Sequence, residues 1–88
     1  MARETDIEYA VVAWAENNGW VARKMVYAGR RGCPDHFFFG KGKIVVVEFK
    51  RPGCHPDPVQ VREHARLKAA GTTVHVVRDV EHGISLLS

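Results

Sequence analysis

Residues 35–50, "DHFFFGKGKIVVVEFK", constrain the fold more than any other part of this 88-residue chain. Two short runs rich in aromatic and β-branched residues flank a Gly-Lys-Gly-Lys turn, the pattern of a β-hairpin. A two-residue loop at Lys41-Gly42, with Gly42 taking positive φ, pairs Gly40 with Lys43, Phe39 with Ile44 and Phe37 with Val46. Carried to its end, the same register sets Asp35 opposite Glu48. Residues directly opposite point to one face, with Cβ atoms roughly 4.5–5.5 Å apart. Two carboxylates so placed repel unless a cation lies between them. Lys50, two residues beyond Glu48, projects from that face too. Alternation adds Phe37, Phe39, Ile44 and Val46 to it, so the charges gather at one end of an apolar surface. The opposite face carries Phe38, Val45 and Val47, with His36 as its polar member.

The flanking segments supply the rest of a sheet and its helices. Ile7, Ala10, Val11 and Trp14 recur at helical spacing. Thr5 with Glu8 matches a capping box, and Gly19 suits a stop. "WVARKMVY" (20–27) alternates and reads as a strand. "RPGCHPDP" (51–58) holds three of the four prolines and reads as irregular. A second helix is predicted from Pro58 to about Ala70, with Asp57 as N-cap and Gln60 completing the capping pattern. "TTVHVVR" (72–78) reads as a strand, and Asp79 is placed to cap a short last helix through Leu87. The order is α-β-β-β-α-β plus that helix, in a single domain spanning residues 1–88. A helix between the last two strands makes them parallel, while the first three can be antiparallel. The expected fold class is α/β, a mixed sheet flanked by helices.

Charge bears on partners through its distribution. Arg30, Arg31, Lys41, Lys43, Lys50 and Arg51 face only Asp35 and Glu48 between Ala28 and Gly53, a local excess of +4 in a chain of net +3. A solvated rim around the hairpin and a set of phosphate contacts both fit this distribution. No apolar run of about 18 residues exists, and "MARETDIEYA" lacks the apolar stretch of a secretion signal. The expectation is a cytoplasmic protein with no membrane association. Cys33, His36, Cys54 and His55 fit no standard zinc spacing, and free thiols are expected.

The facing acids suggest a divalent cation with oxygen ligands. Mg²⁺ takes one or two carboxylates plus waters and substrate phosphates rather than a full protein cage. A lysine beside it can orient or deprotonate the attacking water. The plainer reading is a Glu48–Lys50 surface pair, with Asp35 capping a turn. Glu8 lies near 100° on the first helix when Ile7 is set to zero, inside the apolar arc. It either completes the capping box or joins the site. Glu4 falls near 60° but is expected to precede the cap. Capping alone accounts for Gln60.

"PD" at Pro34-Asp35 and "EFK" at Glu48-Phe49-Lys50 resemble the signature of PD-(D/E)XK nucleases. Together with "ETDIEYAVVAWAENNGW", "GRRGCPDHFFFGKGKIVVVEFKRPG", "PVQVREHARLKAAG" and "VHVV", they resemble the VRR-NUC family over nearly the whole chain. The resemblance implies a restriction-endonuclease-like α-β-β-β-α-β core and Mg²⁺- or Mn²⁺-dependent hydrolysis of DNA. It makes Asp35, Glu48, the Phe49 carbonyl and Glu8 metal ligands, Lys50 the catalytic lysine and Gln60 a further site residue. Arg30, Arg31, Lys41, Lys43 and Arg51 would contact DNA. Short stand-alone members are associated with homodimers that cut four-way junctions, and occur in bacteria and phages. Cys33 and His36 stand where aliphatic residues are more usual. Nicking, flap or end processing is an alternative activity. A non-catalytic nucleic-acid-binding module on the same fold is another.

Overall fold

The turn sets the hairpin. In the computed structural model, which describes residues 3–88, Lys41 (φ 50°) and Gly42 (φ 74°) both take positive φ. That pair of conformations lets a two-residue loop follow the twist of its strands. β2 (His36–Gly40) and β3 (Lys43–Phe49) then pair antiparallel, from Gly40 opposite Lys43 to His36 opposite Val47. The ladder stops there. Pro34 has no N–H to offer, and Asp35 stands in a bend. Its side chain takes over the pairing, with Oδ2 accepting the Phe49 N–H at 2.8 Å.

β1 (Val21–Lys24) lies antiparallel to β2, and β4 (Val74–Val77) parallel to β3, in the order β1-β2-β3-β4. The mixed sheet and its strand directions are those expected. β1 is half the predicted length. Met25 N–H still donates to the Asp35 carbonyl at 2.8 Å, but Val26 is exposed and the chain turns away before the positive-φ Gly29.

α1 (Glu4–Asn17) covers one sheet face. Its buried residues Ile7, Val11 and Ala15 meet Ala22, Phe38, Val45, Val47, Phe49 and Val77. α3 (Val80–Leu86) closes the same core, capped by Asp79, which accepts the His82 N–H at 2.7 Å. Trp20 Nε1–H donates to the Leu87 carbonyl at 3.1 Å. α2 (Pro58–Ala69) is the crossover between β3 and β4. The start of α1 differs from the sequence expectation. Arg3 is the N-cap, and Asp6, not Glu8, reaches back to the cap N–H at 3.4 Å. Glu4 thus opens the helix, and Glu8 lies a full turn inside it.

The second sheet face is unevenly covered. Glu48 is buried beneath α2, whereas Ile44 is 58% exposed, Val21 is exposed and Phe37 and Phe39 are half-buried. No described helix is long and apolar enough to cross a membrane.

Candidate active site

Glu48 is the most constrained acid in the fold. As the sixth residue of β3 it faces α2, and it is 1% exposed. Its Oε2 accepts the Gln60 Nε2–H at 2.8 Å and lies 3.8 Å from Lys50 Nζ. Its Oε1 is buried with no partner among the described residues. Burial, then the neighbouring charge of Asp35, pushes the Glu48 carboxyl up to about 7. A buried carboxylate oxygen left unpaired is costly, so the position calls for a proton or a cation.

Asp35 and Lys50 lie near it, Asp35 by its side-chain bond to Phe49 N–H rather than by a ladder pair with Glu48. Asp35 is half-buried, fixed at its carboxylate by Phe49 N–H and at its carbonyl by Met25 N–H. Lys50 follows directly on β3, its own N–H donating to the Val77 carbonyl at 3.0 Å. Gln60 makes a capping contact and a contact to Glu48 at once. Its N–H and Oε1 complete the capping box with Asp57, each at 3.0 Å, while Nε2 reaches Glu48. These residues fit a hard divalent cation: a buried acid whose charge Asp35 makes costlier, one orphaned oxygen and a nearby lysine. Among the described residues no three His, Cys, Asp or Glu side chains form a ready-made cage. A cation held by two carboxylates and completed by water or phosphate needs none.

The two first-helix acids lie in different surroundings. Glu8 Oε2 lies 2.9 Å from Lys24 Nζ and 3.3 Å from His36 Nδ1, so it is engaged on the β1–β2 side. Glu4, half-buried at the start of α1, is the helix acid whose charge helps raise Glu48. The physical reason is the shifted cap, which puts Glu4 inside the helix rather than ahead of it. His36 is 5% exposed and packed against Phe38 and Phe49, and burial pushes its imidazole toward the neutral form.

The basic residues also separate. Arg30 and Arg31 lie on the loop leading into Asp35, and Arg51 directly follows Lys50. Lys41 and Lys43 sit at the far end of the hairpin. Four strand residues lie between Lys43 and Glu48, a five-residue step of about 17 Å. Lys41 Nζ is occupied there, 3.3 Å from the Leu87 carbonyl and 5.8 Å from the Trp20 ring centre.

Three residues near the site escaped the sequence reading. Arg78 Nε–H donates to the Cys54 carbonyl at 2.8 Å, tying the proline-rich loop to the end of β4. Tyr27 donates its hydroxyl to Glu63 at 2.6 Å, and Glu63 is the buried residue of α2. Glu63 follows Gln60 by three positions, a spacing that marks one helix face. That spacing was the available signal.

No family model matches the sequence. The chain is 46% identical over 78 residues to "Putative nuclease p44" of Acyrthosiphon pisum secondary endosymbiont phage 1, covering 88% of this chain and 84% of that protein. A solved structure described as "VRR_NUC domain" superposes with a TM-score of 0.86 and 33% identity, covering 98% of this chain and 95% of that one. Identity at this level, along almost the full length of both proteins and on the same fold, shows that the chain belongs to the VRR-NUC family.

Proposed function

We propose that the protein is a divalent-metal-dependent DNA endonuclease that hydrolyses phosphodiester bonds, acting on branched DNA as a homodimer in the cytoplasm of a bacterial or phage-infected cell. The observation that carries this reading is the Glu48 carboxylate, buried beside Asp35 with Oε1 unpartnered. Asp35, Glu48 and the Phe49 carbonyl would hold Mg²⁺ or Mn²⁺, with Glu4 rather than Glu8 as the helix acid on that side. When bound, such a metal would supply charge stabilisation at the phosphate and Lewis acidity toward the attacking water.

The chain's own groups do the rest. Gln60 holds Oε2 of Glu48, which leaves Oε1 directed to the ligand. The Phe49 N–H fixes Asp35. Lys50 stands close enough to Glu48 to orient the attacking water, and its charge offsets that of the phosphate. The exposed Arg31 and Arg51 would contact backbone phosphates, contacts that give affinity without sequence readout. The exposed Val21 and Ile44, with Phe37 and Phe39, form an apolar sheet face on which a second copy would pack. Two sites related by symmetry suit paired cuts across a junction.

The test is cleavage of four-way junction, flap, nicked and linear DNA with Mg²⁺ or Mn²⁺, with protein mass measured in solution. Wild type should cut branched DNA, and Asp35→Ala or Lys50→Ala should lose about 100-fold or more while keeping the fold. Full activity in both variants removes the assignment. Preference for flaps or linear ends, from a monomer, turns it into a nicking or end-processing enzyme. DNA binding without cleavage leaves a binding module.

A further inference from the structure

α2 buries a carboxylate where a helix on a sheet usually buries an aliphatic side chain. Glu63 is 6% exposed and is the buried residue of that helix. It accepts the Tyr27 hydroxyl at 2.6 Å and the Arg66 Nε–H at 3.0 Å, and its Oε1 lies 3.7 Å from Arg30. These donors, led by Tyr27, hold its carboxyl below the usual range, while burial pushes the Tyr27 phenol up to about 12. The loop it grips lies very close. A Cβ on Gly32 (φ 93°) would come within 3.1 Å of Glu63 Cβ and 3.2 Å of the Val59 carbonyl. Side chain and glycine together fasten residues 27–32 to α2.

That loop carries Arg30 and Arg31 and runs through Pro34 into Asp35. Arg30 is drawn toward Glu63. Arg31 is exposed and has no hydrogen bond or ion pair among the described residues. We infer that Glu63 is a positioning residue for DNA: through Tyr27 and Arg30 it sets the loop at the height where Arg31 meets a backbone phosphate beside the site. This inference rests on the DNA-acting reading above. Asp35 does not depend on the clamp, because Phe49 N–H and Met25 N–H secure it separately. The clamp therefore governs binding rather than the chemical step.

The sign of the effect separates a clamp from a bystander charge. Glu63→Gln deletes a negative charge, so unaided electrostatics would tighten DNA binding. A clamp predicts the reverse. The experiment measures Kd for a labelled four-way junction in EDTA, for wild type, Glu63→Gln, Arg31→Ala and the double variant. Tyr27→Phe is added because it changes no charge, and circular dichroism monitors the fold. Expected are a roughly 5–10-fold weaker Kd for Glu63→Gln and for Tyr27→Phe, and less than about twofold further loss when Glu63→Gln is added to Arg31→Ala. With metal and saturating DNA, kcat of Glu63→Gln should stay within about twofold of wild type while KM rises. Binding by Glu63→Gln as tight as wild type or tighter, or the same loss with and without Arg31, overturns the clamp alone. A wild type that binds no DNA overturns the clamp together with the reading beneath it.

Discussion

Gln60 Nε2 donates to Glu48 Oε2 at 2.8 Å while Gln60 Oε1 accepts the Asp57 N–H at 3.0 Å. One amide therefore starts α2 and fixes the orientation of a buried acid. Gln60→Ala should cost about 1 kcal/mol of stability through the cap. The larger effect is on the site. Losing a partner that orients a ligating group typically lowers metal affinity or activity about 10–100-fold. Gln60→Glu should restore the capping interaction and not the activity, because it sets a second carboxylate against Glu48. Calorimetric Mg²⁺ titration beside thermal melts would separate the two losses.

Glu48 makes stability and metal binding depend on pH in opposite directions. Its carboxyl titrates at about 7 in the folded protein against an ordinary 4.5. The folded state thus binds more protons between those values. Without metal, the Glu48 contribution is fully present below about pH 4.5 and is lost as pH rises to 7, up to about 3 kcal/mol in all. Metal binding needs the carboxylate, so affinity should climb over the same interval and level off above it. Glu48→Gln removes this part of the stability slope. Denaturant unfolding at pH 5.5, 7 and 8.5, compared between the two proteins, checks the sign.

Gly83 inverts a common rule. Alanine for glycine inside an exposed helix usually stabilises by about 1 kcal/mol. Here a Cβ would fall 2.6 Å from Val11 Cγ2 and 3.3 Å from Val77 Cγ1. Gly83→Ala should instead destabilise by about 1–3 kcal/mol, by pushing α3 off α1. Nothing links it to the catalytic residues, so activity per folded molecule should be unchanged. A thermal melt and a specific-activity measurement suffice.

Ile44 lies 58% exposed on the bare part of the sheet. Ile44→Lys puts a charge on the face proposed for self-association, and the protein should sediment as a monomer. The site at the other end of β3 remains intact, so junction resolution should fall at least about tenfold while single-strand nicking persists. An unchanged mass for Ile44→Lys places the dimer contact elsewhere.

Much of this fold is legible in the sequence because its determinants are local. Lys41-Gly42 fixes the hairpin register, the length between Lys50 and Val74 requires a crossover, and Asp57 with Gln60 marks the start of α2. The Glu48–Lys50 proximity follows from strand alternation. What was missed depends on residues far apart in the chain. The Tyr27–Glu63 contact spans 36 positions, and Lys41 is occupied by a carbonyl 46 positions away. Neither pairing leaves a periodic trace. The Thr5–Glu8 capping box is not formed, for a subtler reason. Moving the N-cap from Thr5 to Arg3 turns the question of which acid faces the sheet, and Arg3 is an unusual cap. Asp35 reaches Phe49 N–H through its side chain instead of extending the ladder to Glu48.

The polar seat of α2 has a further consequence for how the protein fails. α1 and α3 pack on the sheet through the apolar core, whereas the buried residue of α2 is Glu63 and its side-chain hydrogen bond to the sheet comes from Gln60. Such an element opens at lower free energy than the body it rests on. Amide exchange along α2 should outpace that of β3, and warming should release Gln60 from Glu48 while the sheet persists. Catalytic competence would then have its own melting point, below that of the fold.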